Sequence, residues 1–294
     1  METFGDKLYR KVSNARDVLF LHGEIAQLTY QSFIKYIDVI NDKNESTIQI
    51  TYPVGLRPDN TTIDSTISYS KENLIERYRY LGLTQLPING IYQLVTTTET
   101  LLGELLKETL IQFPSKISNK KKLDYELILS AQSLDEIKLA VVNSILNELA
   151  YKSPKEYGEE FEKYIGIKLL EQPIYHRYLE LKATRGIYIH NQGIANDIYI
   201  NKADRLSRVK SGQFLPVNIQ YFLQSYENCI QLTEILEEEL NKIWPSLEYQ
   251  KSKSENIEQQ KEQAIEKAIE SAEAFPVPVK KLRRTIKKIR KMKK

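Results

Sequence analysis

Length, composition and charge limit what this chain can be. Its 294 residues are 41% hydrophobic, which is enough for one large or two small domains with a hydrophobic core. Glycine and proline number only 11 and 10, and this scarcity favours long helices over a turn-rich β fold. The single cysteine excludes an internal disulfide and fits a cytoplasmic setting. The three scattered histidines are too few for a convincing zinc site, so we expect no metal and no cofactor.

The net charge of +3 hides an asymmetry between the body of the chain and its C-terminal segment. Residues 280–294 hold ten Lys or Arg and no acid, so the other 279 residues carry a net charge of −7. Such a basic tail is typical of binding to nucleic acid, to a ribosome, to an acidic partner such as an antitoxin or to an anionic membrane surface. The alternative is a charged end without a partner, and we favour nucleic acid or a ribosome. The sequence has neither a run of about 18 apolar residues nor a secretory signal, so we expect no membrane span.

The first 120 residues are predicted to form a helical region with one short insertion. Apolar residues recur every three or four positions from Leu8 to Ile37, which predicts a helix of about 30 residues. His22 lies on this stripe, where a core or interface histidine is the favoured interpretation and a catalytic histidine the less favoured one. Two roles stay open for residues 1–120, which either complete a bundle or form a sensing domain.

Residues 41–69 interrupt the helical pattern. Turn-forming residues surround a short alternating run, which predicts a small hairpin or an ordered loop near residues 45–69. Ser70 is the predicted N-cap of a helix that ends near Leu81. A further helix is predicted over residues 89–113, because Pro114 cannot continue it.

The middle of the chain, residues 121–245, is predicted to form a helical core behind a polar, basic linker at residues 115–125. A helix is predicted over residues 133–151, and Ser153 caps the next one. The glycines within residues 155–167 predict that this next element is short and interrupted.

Two long helices are then predicted on either side of a broken segment. The first should cover residues 170–191 and stop near Gly193. Residues 193–215 are predicted to be a loop or broken segment, and an amphipathic helix should cover residues 216–243. Residues 246–294 are rich in Lys, Glu and Gln and are predicted to be a charged appendage, flexible at least in part.

The segment 178–199 contains the residues most typical of chemistry. Arg185 lies on the apolar helical stripe of Tyr178 and Leu181. Burying a guanidinium without a partner is costly, so Arg185 needs a carboxylate, a phosphate or a wet interface. His190 follows five residues later, about 140° further round an ideal helix, so the two side chains do not share one face. Two copies that cross about a two-fold axis would bring both motifs into a shared cleft.

Residues 183–193, Ala-Thr-Arg-Gly-Ile-Tyr-Ile-His-Asn-Gln-Gly, resemble the Arg-x4–6-His motif of HEPN domains, including its His-Asn-x-Gly continuation. Residues 155–170 resemble the stretch before the motif in HEPN proteins of the RiboL-PSP type, and the helix predicted over residues 216–243 is similar to the family's closing helix. The resemblance covers about 125–243. One departure is Gly186, because family members often carry a polar residue, commonly Asn, directly after the Arg.

The resemblance implies an all-α, HEPN-type helical bundle that forms a homodimer with the two motifs facing each other. It also implies metal-independent cleavage of RNA, by a toxin or antiviral defence component whose partner is an antitoxin or another defence protein. In this scheme His190 transfers protons and Arg185 holds the phosphate and its developing charge. The alternative is a non-catalytic HEPN module that binds protein or RNA, and a third hypothesis is a helical adaptor with a chance motif.

Four further residues are candidates for supporting roles, each with an ordinary structural alternative. Asn191 would orient His190 or bind the RNA backbone, or else cap the helix. Tyr188 would stack on a base, or else pack in the core or an interface. Arg205 and Arg208 would bind RNA phosphates, or else lie on a solvated surface.

Overall fold

The computed structural model describes residues 2–117, 129 and 131–273, and most of them are helical. The helices are α1 (Phe4–Asp42), α2 (Lys71–Arg79), α3 (Leu86–Gln112), α4 (Leu134–Ala150), α5 (Pro154–Ile165), α6 (Pro173–His190), α7 (Asp197–Ala203), α8 (Ile219–Ile243) and α9 (Leu247–Glu273). The strands β1 (Thr47–Leu56) and β2 (Thr62–Ser70) form an antiparallel pair. The prediction of a mostly helical fold with a small β insertion is confirmed.

α1 has 39 residues and is longer than the predicted 30 or so. A capping box sets its start: the Thr3 hydroxyl accepts from the N–H of Asp6 at 3.0 Å, and the Asp6 carboxylate accepts from the N–H of Thr3 at 3.1 Å. The predicted apolar stripe faces the core, where Leu8 and Leu19 are fully buried. His22 is half-buried and its burial lowers the imidazole pKa, in agreement with the packing interpretation.

The insertion between α1 and α2 is a hairpin, which was the first of the two predicted forms. Its strands pair in antiparallel register, with one irregularity between Pro53 and Gly55. Ile48 is buried with Ile40 of α1 and Leu74 of α2, which attaches the hairpin to both helices. The hydroxyl of Ser70 accepts from the N–H of Asn73 at 3.2 Å, so the predicted N-cap of α2 is confirmed.

The predicted break in the helix between Leu81 and Asn89 is wrong. A π-helical turn over Tyr80–Gln85 joins α2 directly to α3, and the N–H of Leu86 donates to the carbonyl of Leu81, five residues back. Pro87 has no N–H to donate, and a proline in a regular α-helix would interrupt the hydrogen-bonding pattern. The π turn shifts that pattern by one residue, so the helix continues through the proline.

α4 and α5 begin at the predicted caps. Ser133 and Ser153 each accept a hydrogen bond from the backbone N–H three residues later. α5 is not interrupted as predicted, because Gly158 lies inside a continuous helix. A Cβ at Gly158 would lie 2.7 Å from Cγ of Leu170, so this glycine allows a close contact instead of breaking the helix. Of the predicted linker at residues 115–125, the structure describes only the first three.

The largest hydrophobic cluster among the described residues draws on both halves of the chain. Leu19 and Leu94 from the N-terminal 120 residues share a cluster with Phe161, Tyr178 and Leu236 from the middle of the chain. α3 lies between α1, α6 and α8 and contacts all three. The N-terminal helices therefore help to build the bundle that holds α6.

α9 forms the first part of the predicted charged appendage, and its start is fixed to α1. The Ser246 hydroxyl donates to the Asp6 carboxylate at 2.8 Å, and the N–H of Glu248 donates to it at 3.2 Å. Hydrogen bonds from Thr3, Ser246 and Glu248 hold the pKa of Asp6 well below its usual range. Arg10 of α1 also pairs with the Glu248 side chain.

The basic run at residues 280–294 lies outside the described residues. In the part of the chain that the structure covers, every helix is too short or too polar to cross a membrane.

Candidate functional site

α6 carries the motif and lies against α3 and α8. It begins at Pro173, later than predicted, because residues 169–171 form a short 3₁₀ turn before it. Ile174, Tyr178 and Leu181 are buried as the stripe predicted. The helix ends at His190, so the motif lies in its last turn and a half.

Arg185 points from α6 towards α3. Its Nη1 lies 3.4 Å from Oε2 of Glu99, and 31% of its side chain is exposed. Its Nε is buried and has no partner among the described residues. Lys182, one turn earlier, makes the shorter contact to the other oxygen of Glu99 at 2.7 Å. Glu99 is therefore the carboxylate partner that the sequence predicted for Arg185, but Arg185 shares it with Lys182, which lies closer.

The pairing of Arg185 leaves most of its hydrogen-bonding capacity unused. A guanidinium has five N–H donors in a planar fork that matches phosphate or carboxylate. The contact to Glu99 uses one of them at a distance beyond the usual range for N–H···O bonds. Arg185 is thus anchored near the surface with donors to spare for an anion.

His190 is the last residue of α6 and is exposed. Its ring makes no hydrogen bond or ion pair with the residues that the structure describes. Arg185 turns towards α3 while His190 faces solvent, in agreement with the angle of about 140° between them on a helix. Within one copy of the chain, the two side chains therefore leave the helix in different directions.

Asn191 caps the C-terminus of α6. Its N–H donates to the carbonyl of Ile187 at 2.8 Å, and its side-chain amide donates to the carbonyl of Ile194. Gln192 and Gly193 then take positive φ values of 51° and 82°, and the N–H of Gly193 also reaches Ile187. This is a left-handed helix ending, so the structural alternative for Asn191 accounts for its side chain.

Tyr188 holds the returning chain against α6. Its hydroxyl donates to the carbonyl of Leu215 at 2.5 Å, and its ring makes an edge contact with Phe214. The side chain is half-buried, and burial raises the pKa of its phenol. Tyr188 therefore packs within the chain, which was the alternative to base stacking.

Arg205 and Arg208 lie in different settings. Arg205 is exposed in the 3₁₀ turn after α7, where it is accessible to a phosphate. Arg208 is partly buried: its Nη1 donates to the carbonyl of Pro216 at 2.6 Å, and its guanidinium lies 3.7 Å over the ring of Tyr221. Arg208 is thus a structural residue, a role that neither sequence interpretation included.

A buried polar network, missed in the sequence, fixes the segment after the motif. The Glu180 carboxylate on α6 is 6% exposed and accepts four hydrogen bonds. Its donors are Thr184 at 2.8 Å, Tyr199 at 2.9 Å, Nε of Arg208 at 3.0 Å and Tyr221 at 2.8 Å. Burial, reinforced by the charge of Glu180, raises the pKa of Tyr221 well above its ordinary value, so its hydroxyl stays a neutral donor.

A signal for this network was present in the sequence. Glu180 lies between Leu179 and Leu181 within an apolar helix, and a carboxylate there requires a partner. The partner Arg208 lies 28 residues later, so the pairing of the two could not be read from local spacing.

Gly186 has open space around it. A Cβ built at this position meets no atom within 4 Å, so the glycine serves no close approach within the chain. Gly186→Ala should raise the free energy of unfolding by about 1 kcal/mol, because glycine is costly inside a helix. Urea denaturation of the variant tests this prediction.

Two other helical glycines provide the controls for Gly186. Gly103→Ala also places its methyl group in open space and should be stabilising to a similar degree. Gly158→Ala should be destabilising, because its Cβ would meet Leu170 at 2.7 Å. A loss of stability in Gly186→Ala would show that the helix around the motif is strained.

No family model matches the chain, and neither the curated proteins nor the solved structures include a significant match to it. Among the described residues, no three His, Cys, Asp or Glu side chains are grouped so as to hold a metal ion. Membership of the HEPN family therefore stays a prediction from residues 183–193 and their surroundings.

Proposed function

We propose that this chain is a metal-independent endoribonuclease of the HEPN type. The observation that carries the proposal is the end of α6, where an exposed, unpaired imidazole at His190 follows a guanidinium at Arg185 that has donors to spare. An imidazole titrates near neutral pH and suits proton transfer, while a guanidinium fork suits a phosphate.

The proposed reaction is an internal transfer within RNA. The ribose 2′-oxygen loses its proton and attacks the adjacent phosphorus, and the bond from phosphorus to the 5′-oxygen of the next nucleotide breaks. The leaving oxygen takes up a proton, so the products are a 2′,3′-cyclic phosphate and a 5′-hydroxyl. His190 moves the protons, and Arg185 stabilises the charge that builds up on the phosphate oxygens.

The directions of the two side chains favour a site shared between two copies. Within one chain Arg185 faces Glu99 and His190 faces solvent, so a single phosphate would not meet both. A two-fold dimer that opposes the ends of two α6 helices would place Arg185 of one copy near His190 of its partner. The proposal therefore includes a homodimer.

RNA binding in this proposal rests on few residues. Asn191, Tyr188 and Arg208 are engaged in the fold. Among the four supporting candidates, this leaves Arg205 as an exposed cation on the segment after the motif. The basic run at residues 280–294 is the second proposed RNA contact. A defence or toxin role, an antitoxin partner and a cytoplasmic location rest on the family resemblance alone.

The test is RNA cleavage by the purified full-length protein in excess EDTA. We expect cleavage products that carry a 2′,3′-cyclic phosphate, which mass spectrometry of the oligonucleotides identifies. An RNA with a 2′-deoxy nucleotide at the cleavage position should not be cut there, because the attacking oxygen is missing. Intact RNA after incubation with the folded protein would contradict the proposal.

A specific observation also favours the non-catalytic alternative. Arg185 already has the Glu99 carboxylate as a neighbour, and the residues Tyr188 and Asn191 of the motif region have structural partners. A binding module would retain these contacts without turning over RNA. Binding of RNA in a gel-shift or anisotropy experiment, with no cleavage over hours, would support this second function.

A further inference from the structure

α1 carries a second apolar stripe on the side away from the core. Its four central members are about half-exposed: Val18 at 41%, Leu21 at 52%, Ile25 at 50% and Leu28 at 57%. Val39, also exposed, lies on the same line three turns later, beyond the polar positions Ser32 and Lys35. None of the described elements covers these side chains.

The spacing of this outer stripe is that of a helix-packing seam. Steps of three, four and three residues from Val18 to Leu28 follow the a and d positions of a heptad. The core-facing stripe of the same helix passes through Leu19, Gly23 and Ala26, all buried. At 100° per residue the two stripes lie on nearly opposite sides of α1.

The surroundings of the outer stripe are polar. Glu24 and Gln31 lie on one side of it, and His22 and Thr29 lie on the other. The half-exposed side chains together present on the order of 400 Å² of apolar surface, a size at which a rimmed patch marks an interaction site. Scattered surface leucines, which need no explanation, would not follow a heptad.

We propose that this outer stripe is a docking surface for the α1 helix of a second copy of the chain. A heptad seam packs best against another seam of the same spacing, and a two-fold axis matches a stripe with itself. Two such patches with their polar rims would bury roughly 1,000 Å² in total, near the lower limit for a stable interface. This contact is separate from the motif at the end of α6, and it is the contact that we expect to hold the two copies together. The opposed α6 ends of the proposed nuclease add no stable contact of their own, so the seam stands or falls without the nuclease.

The test measures the mass of the full-length protein in solution. We expect sedimentation equilibrium between about 1 and 100 µM to show a shift from 34.3 kDa towards twice that mass. The double variant Leu21→Lys with Leu28→Lys should be monomeric at all these concentrations, because lysines on the seam repel and lose the apolar contact. The control Gln27→Lys with Gln31→Lys adds the same charge at exposed positions of α1 outside the seam and should still dimerise.

A second variant keeps the inference testable if the double lysine variant does not fold. Ile25→Cys should be joined to its partner by a bifunctional maleimide reagent, because Cys229, the other cysteine, is fully buried. A wild-type mass of 34.3 kDa throughout, or a dimer unchanged by the lysines on the seam, would overturn the inference. Dimers that form only after removal of residues 274–294 would also overturn the inference. They would mean that the chain's own tail covers the seam in the full-length protein.

RNA cleavage measured on the same samples keeps the two proposals apart. A monomeric seam variant that still cleaves RNA would support the inference that the seam forms the dimer contact. It would also show that the active site forms within one copy or in a transient dimer. A seam variant that stays dimeric would overturn the seam, whether or not the sample cleaves RNA.

Discussion

Glu180→Ala is expected to lower the free energy of unfolding by about 3–5 kcal/mol, which is the cost of breaking one side of a buried ion pair. The variant leaves the guanidinium of Arg208 without its carboxylate in a partly buried site. It also removes the acceptor for the hydroxyls of Thr184, Tyr199 and Tyr221. Each buried donor left without a partner adds to the cost.

The position of the Glu180 network explains why its loss should also affect the motif. Thr184 precedes Arg185 directly, and Tyr199 and Arg208 lie on the segment that returns from the end of α6 to α8. Without Glu180 this segment loses its main polar attachment to the helix. We therefore expect hydrogen exchange of residues 193–217 to increase more than that of α3.

Three comparisons test the expected effect of Glu180. Arg177→Ala, at an exposed position on the same helix, should change stability by no more than about 0.5 kcal/mol. Glu180→Gln keeps the size of the side chain and one acceptor oxygen, so it should lower the free energy of unfolding by less than Glu180→Ala does. A double-mutant cycle with Arg208→Ala should give a coupling energy of about 1–3 kcal/mol. Additive effects of the two single variants would contradict the ion-pair argument.

Local signals in the sequence were sufficient for most element boundaries. The caps at Ser70, Ser133 and Ser153 and the core stripe that begins at Leu8 depend on residues within one or two turns, and the structure confirms them. Their physics is short-range, because an N-cap satisfies N–H groups of its own helix and a stripe reflects the helical period.

Two errors in the sequence predictions come from features that helix propensity does not describe. A gap was expected between residues 81 and 89, but a π turn carries one long helix through Pro87. Gly158 was expected to break α5, but it fits against Leu170. Propensity describes a regular, isolated helix. A local shift of the hydrogen bonds overrides it at Pro87, and packing against Leu170 overrides it at Gly158.

The candidate site was predictable only in part for the same reason. The apolar stripe showed that Arg185 needs an anionic partner, but Glu99 lies 86 residues earlier on another helix. The same holds for Arg208, whose partner Glu180 could not be identified from spacing. A single sequence shows that a charge needs a partner, and the fold decides which residue that is.

His190→Ala and Arg185→Ala are expected to reduce RNA cleavage by at least about 100-fold each. Loss of a positioned proton-transfer group costs about 10²–10⁴-fold, and loss of a group that stabilises the transition-state charge costs about 10²–10³-fold. The measurement is the initial cleavage rate in EDTA, with each variant purified alongside the wild type so that a contaminating nuclease is detected.

Both substitutions should leave the fold intact, which makes the loss of activity interpretable. His190 is exposed and contacts no other described side chain, so His190→Ala should leave the thermal unfolding curve unchanged. Arg185 makes one long contact to Glu99 at a partly exposed site, and such pairs contribute no more than about 1 kcal/mol. Arg177→Ala, which removes an exposed arginine from the same helix, should retain full activity.

Mixing the two variants tests the shared site directly. If each phosphate meets Arg185 of one copy and His190 of its partner, a heterodimer of Arg185→Ala with His190→Ala contains one site with both residues and one with neither. Mixed samples, after exchange of subunits, should then recover up to about a quarter of the wild-type activity, since half of the dimers are mixed and each has one intact site. If the mixture loses as much activity as the separate variants, Arg185 and His190 of the same copy act on one phosphate. Undiminished cleavage by both single variants would show that neither residue belongs to the active site.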